Sequence, residues 1–258
     1  MKKYGFLNKL FVVAGFCVLI GFQSCNSGNE SKSAKSRKLD SIALISSNIA
    51  GTGKVIEIQM LKGKAHNHPT FAIWLEDQNG MYIQTLFITK AFAQGVFEYG
   101  DKSAGNWAPG EVQRPAALPY WVYKRNESKP EGSLLPSPKN KMPDAYTGAT
   151  PAGNFALNTR TDKLLIGKVN ILLEINQTWD WNQYWTNGLY PDDADYQSSC
   201  QPAIVYSGLL DLGVVGSTVL LKPIGHSHYS GKKGELYPDL STITTALHIA
   251  EQITATVK

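Results

Sequence analysis

Residues 70–88 read TFAIWLEDQNGMYIQTLFI. Two apolar, β-branched and aromatic runs, Thr70 to Leu75 and Met81 to Ile88, flank Glu76-Asp77-Gln78-Asn79-Gly80. Asn-Gly between two such runs is a strong signal for a tight β-hairpin turn, because both residues tolerate a positive φ. The neighbouring sequence continues in the same idiom. Gly51 to Leu61 alternates, with Val55, Glu57 and Gln59 facing one way and Ile56, Ile58 and Met60 the other. Gly153 to Asn158, Val169 to Ile175, Ala203 to Leu212 and Ser217 to Leu221 are further candidate strands. Leu247 to Val257 alternates as a closing strand, with a helix over Thr242 to Glu251 as the competing assignment. No long amphipathic helix stands out. Short strands separated by turn signals predict an all-β fold, an antiparallel β-sandwich of Ig-like character. Tyr99 to Pro143, rich in Pro, Gly, Lys and Ser, reads as a long irregular insertion on the surface. Loops of that length are uncommon in compact domains and are often functional.

The N-terminus reads as an address. Lys2, Lys3 and Lys9 precede an apolar run from Leu10 to Phe22, too short for a stable membrane span but suited to a secretory signal. The run closes in Gly21-Phe22-Gln23-Ser24-Cys25, which resembles a bacterial lipoprotein processing site of the relaxed, Bacteroidetes-like kind. Phe22 and Gln23 depart from the usual aliphatic and small residues. An ordinary signal peptide with an incidental cysteine is the alternative. The resemblance implies a signal peptide over 1–24 and acylation of Cys25. Residues 25–40, polar and Ser/Lys-rich, are expected to form a disordered tether, and 41–258 the sandwich domain. Asn26 lacks the aspartate associated with inner-membrane retention in enteric bacteria. The expected location is therefore the cell envelope, lipid-anchored in the outer membrane and facing the periplasm.

Composition excludes several classes. The formal charge of +4 includes the three leader lysines; without them the chain is close to neutral, and no basic stripe argues for nucleic acid. Cys17 belongs to the leader and Cys25 to the anchor, so Cys200 stands alone in the domain. That rules out an intramolecular disulfide, an iron–sulfur cluster and c-type haem attachment. Cys200 reads as a buried small apolar residue. Gly-x-Ser-x-Gly, His-Glu-x-x-His and phosphate-binding glycine loops are absent from the sequence.

Asp144-Ala-Tyr-Thr147-Gly148-Ala149-Thr150 matches the pattern Asp-x-x-Ser/Thr-Gly-Ala-Thr/Ser. It resembles the acceptor site of the flavin subunits of the sodium-pumping NADH:quinone reductase and its relatives, where a flavin transferase esterifies FMN onto the last hydroxyl. The resemblance implies covalent FMN on Thr150. Asp144, Thr147, Gly148 and Ala149 would be the recognition set, with membrane redox proteins as partners. A second resemblance covers residues 53–180. The run from Pro69 to Leu86, with its Trp-x-Glu-Asp hairpin, together with Gly148 to Pro151 and the Glu-bearing strand at Val169 to Ile175, is similar to a family of predicted periplasmic proteins. That family implies an Ig-like sandwich and a neighbourhood of flavin transferases, without an assigned activity. The motif has a plain structural reading too, a turn leading into a strand. Pro151 restricts Thr150 to extended conformations.

Other residues suggest weaker chemistry. Trp179, Trp181, Tyr184 and Trp185, with Tyr190 and Tyr196 beyond, are dense enough to stack a flavin, to form a sugar platform or to fill a core. His66 and His68, and His226 and His228, are His-x-His pairs that would bind zinc or copper if the two segments met; hydrogen-bonded loop histidines are the favoured reading, so a metal is not expected. Asp192, Asp193 and Asp195 lack the fixed Gly and terminal Glu of a calcium loop. The sequence thus points to a flavinylated electron carrier rather than a stand-alone enzyme. A non-redox binding or scaffold lipoprotein with a glycan or protein ligand is the competing class, and a histidine-based metal-binding protein is a third.

Overall fold

The computed structural model describes residues 41–125 and 135–258. The expected leader, Cys25 and the tether to residue 40 lie outside the described residues, as does part of the insertion. The elements run β1 (Ala43–Ser46), β2 (Val55–Lys62), β3 (Thr70–Glu76), β4 (Tyr82–Thr89), α1 (Lys90–Gln94), β5 (Val96–Asp101), β6 (Ala108–Glu111) and α2 (Pro119–Arg125). They continue as β7 (Thr147–Gly148), β8 (Phe155–Arg160), β9 (Lys168–Asn176), α3 (Ala194–Gln197), β10 (Ile204–Asp211), β11 (Thr218–Leu220), β12 (Lys222–His226) and β13 (Ala250–Val257). The two sheets of the sandwich have the orders β1-β8-β2-β13-β11 and β12-β10-β9-β3-β4-β7, and β5 and β6 form a separate two-stranded sheet. The pairing is antiparallel except for β1 with β8 and β4 with β7. The fold is an all-β sandwich, as the strand pattern predicts. The closing segment is strand from Ala250, with only a 3-10 turn at Ala246–His248 where a helix competed.

The sheets meet through alternate residues. Ile56, Ile58 and Met60 of β2 are fully buried while their neighbours are not, so the alternation in sequence corresponds to an inside and an outside face. Phe71 stacks on Phe87 at 5.1 Å and on Phe155 of the facing sheet at 5.5 Å.

Every residue of β3 is buried, and β9 is buried from Val169 on except for Asn170. A strand is buried on both faces only when something covers the second face. Here the insertion is that cover. Its first part, through Trp107, is exposed as a surface excursion would be, but Ala116 to Val122 and Met142 are buried. Leu118, Tyr120, Trp121 and Met142 join Phe97 in a second core that packs on Ala72, Trp74, Leu172 and Val205 of the sheet. The outer face of the sheet is apolar, and leaving it wet would expose, among others, Trp74. Truncating a buried ring of this kind costs about 3–5 kcal/mol.

Polar clamps fix this cover in register. Glu174 of β9 is fully buried and accepts the backbone N–H groups of Tyr120 (3.2 Å) and Trp121 (2.7 Å) in the first turn of α2. Glu76 accepts the Trp74 indole N–H at 2.8 Å and faces the Lys124 ammonium of α2 at 3.5 Å. Lys124 also donates to the Gly80 carbonyl at 2.8 Å. Asp77 closes the hairpin by accepting the N–H groups of Asn79 and Met81, with Gly80 at φ 78°. The Trp-x-Glu-Asp sequence thus has a mechanical reading: Trp and Glu hold the cover, and Asp caps the turn.

Burial raises the Glu174 carboxyl to about 8, against the opposing pull of the Trp121 and Tyr120 amides and Ser227. Desolvating a carboxylate costs several kcal/mol, more than hydrogen bonds of ~1.5–3 kcal/mol each recover in full. Because the folded state holds this proton above the ordinary 4.5 of the unfolded chain, its contribution is complete below that value. It is lost as pH rises to about 8. Thermal melts should therefore show stability falling by up to a few kcal/mol across that window relative to Glu174→Gln, and a constant difference above it. Parallel pH profiles for the two proteins would contradict the assignment.

Candidate functional site

The segment Asp144 to Thr150 runs along the edge of the capped sheet. Asp144–Tyr146 form one 3-10 turn, and Thr147–Gly148 pair in parallel with Ile88 and Thr89 at the end of β4. Three contacts anchor the turn. The Asn48 N–H donates to the Ala145 carbonyl at 2.7 Å. The Tyr146 hydroxyl donates to Asp162 Oδ1 at 2.9 Å, and the Asn48 amide donates to the same oxygen at 2.7 Å. Partial burial and Asp162 raise the Tyr146 hydroxyl to about 12, so it stays a donor. At the far end His66 Nε2 donates to the carbonyl of the buried Pro151 at 3.1 Å. Asn48, Asp162 and His66 are far away in sequence, and nothing in the local pattern marks them as the clamps of this turn.

The motif residues divide into those that pack and those that face water. Gly148 has a packing reason: a Cβ there would stand 2.6 Å from the ring of Phe87, which is itself buried. The Thr147 hydroxyl donates to the Asp144 carbonyl at 3.3 Å. The Asp144 side chain and Ala149 are exposed, and Thr150 is half-buried. The Thr150 hydroxyl has no hydrogen-bond partner among the described residues. The turn thus presents one unengaged hydroxyl beside a methyl and a hydrogen as side chains, which are the features an attacking oxygen on a protein substrate requires.

Beside Tyr146 opens a cleft of about 360 Å³, lined by Tyr82, Gln84, Arg125, Lys141, Tyr146 and Asp162 among others. Gln84 is buried; its Oε1 accepts the Asp162 N–H at 3.0 Å, while its Nε2 is left without a partner. A buried amide donor with nothing to bond to is costly and suits a ligand rich in acceptor atoms, as the pyrimidine edge and phosphate of a flavin nucleotide are. The donor set fits FMN chemically.

The aromatic run does not form one platform. Trp185 and Tyr196 turn inward, with Trp185 Nε1 on Thr242 Oγ1 at 3.1 Å and the Tyr196 hydroxyl on the carbonyls of Thr186 and Cys200. Tyr190 stacks on Tyr229 at 4.5 Å, and Tyr229 on His228 at 4.5 Å. His226 stacks on Tyr237 at 5.4 Å. Tyr229 and Tyr237, beyond the tryptophan-rich segment, are therefore part of this cluster, and His226 and His228 serve it as rings. Trp179, Trp181 and Tyr184 stay exposed. Trp179 has φ 62° and lies 5.6 Å from the Arg114 guanidinium, which also covers Phe97 at 4.1 Å.

His66 and His68 lie in the loop between β2 and β3, and His226 ends β12. Among the described residues no three of His, Cys, Asp and Glu come together as metal ligands. The acidic run is structural. Asp193 caps α3 by accepting the N–H groups of Asp195 and Tyr196, and it binds Lys232 at 2.8 Å. Cys200 is buried and free, its thiol pushed up by burial.

Gly148→Ala should lower stability by about 1–3 kcal/mol, the usual cost of forcing an atom into a filled core. Thr150→Val should leave the melting temperature unchanged, since its hydroxyl holds nothing. Thermal melts of the two variants check both; an equal loss in each would mean that Thr150 is a structural residue of the turn.

No protein-family model, curated protein or solved structure matches this chain.

Proposed function

We propose that this is an extracytoplasmic lipoprotein, anchored through Cys25, that carries FMN as a phosphoester on Thr150 and passes electrons between membrane redox partners. The observation that carries the reading is the unengaged Thr150 hydroxyl, set in an acceptor-type sequence on an anchored edge turn with small neighbours. A flavin transferase needs a hydroxyl it can reach on a backbone that does not have to be remodelled, and this turn offers both. Asp144 and Ala149, exposed on the same segment, are available for docking; Gly148 keeps the strand close to β4. Bound FMN would supply reversible electron transfer. The protein's part is to hold it near the Tyr146 cleft, where the Gln84 amide, Arg125 and Lys141 favour electron-rich atoms and added negative charge. Among the described residues no helix is long and apolar enough to cross a membrane; the anchor is assigned to Cys25 on the sequence of residues 21–25 alone.

A second reading rests on the rings. Trp179, Trp181 and Tyr184 are exposed within six positions, an arrangement that suits stacking against a glycan. In that case the protein binds and carries no redox group.

Intact mass separates the two. Mature protein from a cell that flavinylates another target should exceed the chain mass by one FMN less water, and Thr150→Val should not. An unmodified wild-type mass in such a cell removes the carrier reading. Retention of that unmodified protein on an insoluble polysaccharide, lost in Trp179→Ala, would then establish the second.

A further inference from the structure

Arg114 stands in the turn ahead of α2, which the Ala117 N–H closes onto the Arg114 carbonyl at 3.0 Å. Its guanidinium lies over the ring of Phe97 at 4.1 Å and 5.6 Å from the centre of Trp179, and its Nη1 donates to Thr178 Oγ1 at 2.7 Å. Two rings and a hydroxyl are these neighbours, and none of them is an anion. Glu98, Glu111 and Asp180 adjoin the same residues in sequence, yet among the described residues none forms an ion pair with Arg114. The Asp180 carboxyl is turned toward Gln201 and Thr245. Partial burial lowers the guanidinium from its ordinary value, with no acid opposing the shift. Stacking on rings suits a weakly hydrated guanidinium, but it supplies no counter-charge. Nε and Nη2 hydrogen-bond to nothing among the described residues, and both stay open to water. On a guanidinium these two groups share one edge, a fork that matches the two oxygens of a carboxylate. Trp179 stands beside it at φ 62°, a conformation that bulky side chains rarely adopt. Two bonds hold it there, its own N–H to the Ser199 carbonyl at 2.8 Å and its indole N–H to the Gln197 carbonyl at 3.1 Å. The strain brings little burial, since 54% of the residue is in water. A fixed, strained ring left in water beside an uncompensated cation is explained by a ligand and not by packing.

We propose that Arg114 and Trp179 form a binding site for an acidic sugar, a uronate residue whose carboxylate takes the Nε–Nη2 edge and whose pyranose face lies on the indole. The inference rests on the glycan reading of the exposed tryptophans and adds the charge of the ligand. Two features select this class. One guanidinium matches the single charge of a carboxylate, whereas a phosphate dianion calls for a second cation or a nest of backbone N–H groups. Among the described residues no second cation stacks on Trp179 or bonds to Thr178. The indole supplies the other half of the choice. The flat C–H face of a pyranose covers an open aromatic face, which a bare inorganic anion or a carboxylate on a thin flexible stem leaves wet.

The test titrates the full chain, by calorimetry, with oligomers of galacturonate, of glucuronate and of mannuronate–guluronate. Each is paired with its methyl ester, which keeps the sugar rings and removes the charge. At least one acid oligomer should bind at least about tenfold more tightly than its ester, the difference expected of one charge-assisted pair, and salt should shrink that advantage. Arg114→Gln should erase the acid–ester difference and leave the affinity of the ester as it was. Arg114→Lys should restore little of it, because an ammonium lacks the fork. Trp179→Ala should weaken acid and ester together. The acid–ester comparison is made on the wild type, so it decides the matter whether or not a variant folds. Equal affinity for acid and ester overturns the inference and leaves the glycan reading standing; no binding of any oligomer overturns both. Displacement by inorganic phosphate as readily as by glucuronate overturns the sugar assignment and leaves a general anion site.

Discussion

The covering of β3 and β9 on both faces is the constraint from which the rest of the architecture follows. A sandwich needs one apolar face per sheet; this one has a second on Ala72, Trp74, Leu172 and Val205. Water on that face would forfeit about 1.5–3 kcal/mol per large apolar side chain, so the chain between β4 and β8 returns to it. The return is expensive in entropy, because a long irregular segment has to be ordered. Two acidic side chains fix the position of the short helix α2. Glu174 grips its amino end through backbone N–H groups, and Glu76 meets Lys124 toward its other end. Both acids project from the face the helix covers, so neither could be matched by water once it docks. The cover is thereby placed by polar groups and held by apolar ones.

The acceptor-type turn inherits its rigidity from the same sheet. β7 adds to β4 only because β4 is not the last strand of a closed surface, and Gly148 can lie against it only because it has no side chain to meet Phe87. Asn48 and Asp162, from the facing sheet's loops, fix Ala145 and Tyr146. The anchoring therefore falls on the residues before Thr150 and, through His66, on the residue after it. A structural turn and a chemical acceptor are not rival accounts of this segment. The turn supplies the fixed geometry, and the one hydroxyl it leaves unengaged is the position at which chemistry can be added without unfolding anything.

Much of the fold was legible in sequence, for a physical reason. Period-two alternation in β2 and the Asn79-Gly80 turn are local, and local patterns survive without knowledge of partners. The continuous apolar run of β3 was legible as a strand, but its second partner was not. The polar, Pro-rich composition of 99–143 hides the few residues, Leu118, Trp121 and Met142 among them, that do the covering. β1, β7 and β12 are short or carry Pro and Gly and are strands because a sheet edge is there to receive them, while β6, Ala108-Pro-Gly-Glu111, is a strand only through its pairing with β5. For the site, the seven-residue motif was visible, while Asn48, Gln84 and Asp162 were not, since each acts across a sequence distance that no local pattern encodes. The histidine pairs have a spacing that is legible in sequence, but His226 and His228 stack on Tyr237 and Tyr229, ring partners that spacing does not reveal.

Strand direction then decides which loops share an end. β1 and β8 run in parallel from Ala43 and Phe155, so the start of the domain and the Thr150 segment share one end, and the loops at 164–166 and 214–215 share the other. The two ends are separated by about the length of β8, ~20 Å. Rigid β-structure between them keeps that separation constant, so a group carried on Thr150 would stand beside the point where the chain enters the domain and away from the opposite loops.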